Sequence, residues 1–140
     1  MSMFAPLSLP SWLPIDGRVW IRPLGEEFDA VRVPLLQGLY VVPRLALTGL
    51  SGPVVEDPVQ GVLHWLIPAG DATARWWPVG VTPLGRGALL AIPSAGSVRG
   101  PWDGDGGSEV RWLGIRPYGD CLTDPDVLYG ALCRVFGEAP

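Results

Sequence analysis

The side chains able to do chemistry are few. The chain has one histidine and two cysteines, and all ten of its basic residues are arginines. His64 stands between Leu63 and Trp65, with Val62 and Leu66 on its own side of a predicted strand. That setting suits a hydrogen-bonded core histidine. No serine or cysteine is spaced to make it the base of a nucleophilic triad. Cys121 lies in a Gly-Asp-Cys loop and Cys133 in the last predicted helix. With a single histidine they lack the ligand set of a structural metal site, so reduced thiols are expected, with Cys133 packed, and no metal or cofactor is implied. Asp57 precedes Pro58 at the end of a predicted strand, where an aspartate commonly starts a turn. The Gly85-Arg86-Gly87 turn offers backbone N–H groups that could meet a phosphate. It has no following Lys-Ser/Thr and no helix start, so a hairpin turn is expected rather than a P-loop. Asp103-Gly104-Asp105 looks like the start of a calcium loop, but Glu109 comes too early to close one, which leaves a solvated loop.

Arginine and tryptophan recur together. Arg18, Trp20 and Arg22 alternate along one predicted strand and share a face, and Arg75-Trp76-Trp77 and Arg111-Trp112 repeat the pairing. Such pairs build single-stranded nucleic-acid grooves by stacking and charge. They also pack internally as cation–π contacts, here with Glu26, Glu27 or Asp29 as ion-pair partners. Trp and Arg dominate protein-interface hot spots as well. The formal net charge of −4 opposes non-specific duplex binding, so a protein-binding or self-association face is the stronger functional reading. Arg18, Trp20, Arg22, Trp76 and Trp77 are its candidates.

These residues must be positioned by short elements. Of 140 residues, 19 are Gly and 16 Pro, yet 48% are hydrophobic. The chain can bury a core, but not through long helices. Arginine without lysine fits a GC-rich coding bias. Residues 1–14 carry Pro6, Pro10 and Pro14 and are expected to form an extended arm whose Phe4, Leu7, Leu9 and Trp12 need cover; residues 15–140 read as one domain. No basic leader or uninterrupted apolar run appears, so neither a signal peptide nor a membrane span is expected, and the protein reads as cytoplasmic.

Strands are expected at 18–24 and 28–33, the second with Phe28, Ala30 and Arg32 on one side. Pro34 is placed to open a helix through Leu35, Leu36, Leu39 and Tyr40, kinked or broken at Pro43. Strands 53–57 and 61–67 should form a hairpin around Pro58-Val59-Gln60, followed by one helical turn within 71–77. Strands 79–84 and 88–92 flank the glycine turn, residues 93–108 form a loop, and 110–115 is the last strand. Asp124, Pro125 and Asp126 are N-cap, N1 and N2 of a final helix. The order β-β-α-β-β-β-β-β-α predicts an α+β domain with its helices on one side of a mostly antiparallel sheet.

From residue 49 to about 112 the sequence resembles the N-terminal domain of bifunctional DNA primase/polymerases of the archaeo-eukaryotic primase superfamily. The similarity rests on Gly49-Leu50-Ser51-Gly52-Pro53-Val54-Val55-Glu56-Asp57, on Gly61-Val62-Leu63-His64-Trp65 and on Gly85 to Ser94, with Trp102 or Trp112 as the aromatic that follows. The whole chain is similar to small actinobacterial proteins of that kind. The family's acidic motif is two aspartates one residue apart, a spacing that puts both on one strand face to hold metal. Asp57 matches the second, but Val55 stands at the first, and Glu56 falls on the opposite face. The third carboxylate would fall at Thr82 and the family's arginine at Leu84; Arg86 lies two residues on. The resemblance therefore implies a primase/polymerase-like scaffold with its metal-binding carboxylates largely lost, and a vestigial pocket of Asp57, His64 and Arg86. The expected function is a non-catalytic interaction or regulatory module, with a protein partner or self-association as its contact. The alternatives are a single-stranded nucleic-acid or nucleotide binder and a residual nucleotidyl-transfer enzyme.

Overall fold

The computed structural model describes residues 9–99, 109–114, 117–118 and 121–137. Phe4 and Leu7 of the arm, Trp102 and the Asp103-Gly104-Asp105 run lie outside the described residues. The fold is α+β with two helices and a mostly antiparallel sheet. Strand β1 spans Trp20–Pro23, β2 Asp29–Pro34, β3 Val54–Asp57, β4 Val62–Ile67, β5 Thr82–Leu84, β6 Leu89–Ile92, β7 Val98–Arg99 and β8 Arg111–Leu113; the helices are α1, Leu35–Ala46, and α2, Pro125–Phe136. Six strands form one sheet in the order β5-β2-β4-β3-β8-β7, while β1 and β6 pair as a separate two-stranded ribbon. Among the described residues only the β7–β8 pairing is parallel.

Because strand side chains alternate, register sorts the sheet residues onto two faces. Val31 opposite Trp65, Val33 opposite Leu63 and Val54 opposite Trp65 mark one face. It is covered by Val41 and Leu45 of α1, by Leu128, Ala131 and Leu132 of α2, and by Trp77. Ala30 opposite Leu66, Arg32 opposite His64 and Val55 opposite both His64 and Trp112 mark the other. Its core joins Leu66, Val55 and Trp112 to Leu90 and Ile92 of the ribbon and to Trp12, Leu24 and Phe28.

The β3–β4 hairpin forms as its turn residues predict, closed by the Gly61 N–H on the Asp57 carbonyl at 2.9 Å. The start of α2 also follows its sequence: the Asp124 carboxylate accepts from the Asp126 and Val127 N–H groups at 2.9 and 3.1 Å, with Pro125 in the first turn. Four features differ from expectation. Pro34 ends β2 and stands at the N-cap of α1 rather than inside it, without a side-chain cap. Helix α1 is not broken at Pro43, which lies inside it at the exposed surface. Strands β5 and β6 do not pair with each other; the glycine turn carries the chain from the six-stranded sheet, where β5 lies beside β2, to the ribbon, where β6 lies beside β1. Finally, β7 forms inside the stretch read as loop, through its parallel register with Trp112 and Leu113.

The end of the arm is not a free extension. Leu13 N–H closes a turn on the Pro10 carbonyl at 3.1 Å, and Trp12 and Leu13 are buried. Trp12 meets Phe28 edge-on at 4.9 Å between ring centroids. This chain itself covers Trp12.

Candidate functional site

The polar residues of the ribbon-facing side meet where β6 leaves the sheet partly uncovered. Arg32 on β2 and His64 on β4 are direct cross-strand partners, and Arg32 Nε donates to His64 Nε2 at 3.1 Å. Asp57 lies on the same face, opposite Val62. Arg32, Asp57, Gln60 and His64 line a cavity of about 70 Å³, closed by Val55, Val110 and the β6 residues Leu89, Leu90 and Ala91. That volume takes a few water molecules at most and excludes a nucleotide.

The arginine fixes the state of the histidine. A guanidinium only donates, so Nε2 must carry its lone pair and the neutral ring holds its proton on Nδ1. Burial pushes the imidazole down to about 4 from its usual 6.5; the Arg32 charge acts in the same direction and Asp57 opposes it. His64 is 2% exposed, and its Nδ1 has no hydrogen-bond partner. Asp57 is occupied locally: its Oδ1 accepts the Val59 and Gln60 N–H groups, each at 3.1 Å, and starts the hairpin turn.

Glu56 points to the opposite face, as strand alternation requires. It is 2% exposed and its Oε1 takes the Arg111 Nε–H at 2.7 Å. The two adjacent carboxylates therefore serve different sides of the sheet. Among the described residues no three His, Cys, Asp or Glu side chains group closely enough to hold a metal ion. Thr82 lies opposite Arg32, so the row Thr82–Arg32–His64–Val55 crosses the sheet on the ribbon side.

Of the sequence-predicted pocket, Asp57 and His64 come together and Arg86 does not. Arg86 is exposed in the turn after β5, where its backbone packs on Gly25: a side chain at Gly25 would put a Cβ 2.8 Å from the Arg86 Cα. The cation at His64 is Arg32, which sequence reasoning placed on the correct side of its strand but did not connect to His64. Only register links the two.

The arginine–tryptophan candidates separate into packed and exposed groups. Trp77 is a core residue, 6% exposed, donating its Nε1–H to the Ala72 carbonyl at 2.8 Å and meeting Tyr129 edge-on; it cannot present itself to a partner. Arg75 lies over both rings and pairs with Asp126 at 2.6 Å. Arg22 stacks over Trp20 at 4.7 Å and donates to the Trp12 carbonyl, while Trp20 Nε1 donates to Asp16. The packing reading thus holds for these pairs, with Asp16 and Asp126 as the acids in place of Glu26, Glu27 and Asp29. Asp29 instead accepts the Gly70 and Ala72 N–H groups and ties the Asp71–Thr73 3-10 turn to β2. Arg18 is exposed, and Trp76 is 79% exposed.

Exposed apolar side chains form a second set that sequence reasoning missed. Ile21 and Leu89 stand out from the ribbon, and Leu36, Tyr40 and Leu47 from α1. The sequence places Leu36 and Tyr40 on a helix, but spacing alone does not say which side of it is covered. Among the described residues no helix is long and apolar enough to cross a membrane. Comparison with protein-family models, with curated proteins and with solved structures returns no match.

Proposed function

We propose that the protein is a non-catalytic interaction or regulatory module built on a primase/polymerase-like scaffold whose metal-binding carboxylates are largely lost. One observation carries this reading. The Asp57 carboxylate is committed to its own hairpin turn, and Glu56 is turned to the other side of the sheet in an ion pair with Arg111. Nucleotidyl transfer needs carboxylates that together hold the metal between attacking and leaving oxygens. The positions the resemblance assigns to that work, Val55, Asp57, His64 and Thr82, share the ribbon-facing side, but only Asp57 among them is acidic. Exposed apolar residues on α1 and the ribbon supply surface for a protein contact instead. Purified protein is expected to show no metal-dependent primer synthesis or nucleotide incorporation. Robust incorporation, abolished by Asp57→Ala, would overturn the proposal.

A second reading, a single-stranded nucleic-acid binder, rests on the exposed Arg18 and Trp76 and on Arg22 stacked over Trp20, since the His64 cavity is too small for a nucleotide. It requires a salt-sensitive shift with single-stranded oligonucleotides that Arg18→Gln and Trp76→Ala weaken. No binding at low salt eliminates it.

A further inference from the structure

Helix α1 is apolar on two opposite sides. One side, Gly38, Val41 and Leu45, is buried against the sheet and α2. At 100° per residue, Leu36, Tyr40, Pro43 and Leu47 fall on the side directly opposite. Leu36 is 74% exposed, Tyr40 70% and Leu47, at the C-cap, 90%; Leu39 on the flank is 43% exposed, and Pro43 is exposed. A helix with two apolar sides is ordinarily covered on both.

We propose that this outer stripe is a self-association surface, occupied by the α1 of a second copy of this chain packed antiparallel about a two-fold axis. Three observations select that occupant. First, the stripe is its own reverse. Residues 36, 40, 43 and 47 are separated by gaps of four, three and four, so an antiparallel copy centred between Val41 and Val42 sets Leu36 against Leu47 and Tyr40 against Pro43, twice each, as an isologous interface demands. Second, the same register keeps charge out of the contact. Arg44 is the only charged residue of α1. It falls opposite the partner copy's Leu39, along which its aliphatic stem can lie with the guanidinium in water, and Gln37 falls opposite Ala46. Third, the area suffices. The exposed side chains offer on the order of 600 Å² of apolar surface, the top of the range a monomer normally shows. Two copies face to face bury about 1,200 Å², the lower end of stable specific interfaces. The ribbon offers a smaller patch, Ile21 and Leu89 with Val19 beside them, and it lacks the reversed spacing of the α1 stripe.

This inference rests on reading the protein as an interaction module, but its test is independent of nucleotide chemistry. Sedimentation equilibrium on the full chain from 1 to about 100 μM should give a reversible dimer. Tyr40→Glu, at a position exposed in the monomer, should leave the circular dichroism spectrum unchanged and weaken dimerisation about a hundredfold, because it buries an unpaired carboxylate at the centre of the contact. Leu36→Glu should do the same, and Leu36→Glu with Leu47→Arg in one chain should restore much of the dimer, because only the antiparallel register brings 36 and 47 together. A monomer throughout the range overturns the proposal. So does a dimer indifferent to Tyr40→Glu but lost with Ile21→Glu, and failure of the double variant to recover overturns the register. Incorporation of nucleotides would sink the functional reading and leave this surface standing.

Discussion

The two faces of the six-stranded sheet are made by alternate residues of the same strands, yet they are finished differently. The helix side is close to dry: Leu63, Trp65 and Ile67 of β4 lie under α1 and α2 with no exposure, and its buried carboxylates among the described residues are both engaged, Glu56 by Arg111 and Asp29 by the Gly70 and Ala72 N–H groups. The ribbon side mixes an apolar half, around Trp112, Phe28 and Trp12, with a polar row in which His64 leans on Arg32 and keeps an unpartnered Nδ1. Two helices cover a face almost completely, whereas a two-stranded ribbon covers part of one and leaves a cavity over the rest. A buried ion pair stabilises little overall, but losing one partner strands the other. The faces should therefore fail by different routes, the helix side by an abandoned charge and the ribbon side by protonation.

The largest effect belongs to the helix side. Arg111→Met keeps most of the volume and removes the Nε–H on Glu56, leaving a carboxylate 2% exposed without that partner. Chemical denaturation at pH 7 should show a loss on the order of 4 kcal/mol. Adding Glu56→Gln to Arg111→Met should recover a large part of it, since a neutral amide is far cheaper to bury than a carboxylate deprived of its guanidinium. A loss below about 1 kcal/mol in the single variant would mean that solvent reaches Glu56 and that this face is no drier than the other.

The ribbon side should respond to pH instead. His64 titrates near 6.5 when unfolded and near 4 in the fold. As pH falls through this window the unfolded chain takes up a proton that the native chain does not. Stability present above pH 6.5 is thus lost progressively toward pH 4, by about 3 kcal/mol at most from this group. His64→Gln, whose side-chain oxygen can still accept from Arg32, should flatten that part of the profile. A histidine chemical shift titrating near 6.5 in the native protein would show that the ring is solvated and that the contrast between the faces is overstated.

What could be read before the fold was known follows the same division between local and long-range causes. The α2 start was legible because Asp124, Pro125 and Asp126 act on N–H groups within three residues. The β3–β4 hairpin was legible because Asp57 builds its turn from its own side chain. The Gly85-Arg86-Gly87 turn was not, since a glycine turn has the same local chemistry whether its strands pair with each other or part to different sheets. Strand β7 was hidden for a similar reason: two residues among Gly, Ser and Pro become a strand only because β8 lies alongside. Within the site, the resemblance supplied Asp57 and His64 but substituted Arg86 for the cation. Arg32 was out of reach because 32 residues of sequence separate it from His64, and only the β2–β4 register closes that gap. The stripe on α1 was visible as spacing. What could not be seen was that Gly38, Val41 and Leu45 already supply the helix with its buried side.

The smallest effect bears on whether Asp57 is a turn residue or a ligand, which is where the primase-like reading and the local geometry meet. Both Asp57 hydrogen bonds come from backbone N–H groups to a single oxygen, Oδ1. An asparagine keeps that oxygen in the same place, and an alanine removes it. Asp57→Ala should therefore cost about 1 kcal/mol, as loss of a comparable side-chain cap does, while Asp57→Asn should stay within about 0.5 kcal/mol of the parent. A metal ligand would give a different pattern: the carboxylate charge would matter, so both variants would lose any stabilisation that added Mg²⁺ or Mn²⁺ confers on the parent. Thermal denaturation of the three proteins with and without these ions separates the two. Asn behaving like the parent, with no metal-dependent shift in any of them, ties Asp57 to its hairpin; a parent stabilised by metal, with Asn behaving like Ala, would put a working carboxylate back on the ribbon face.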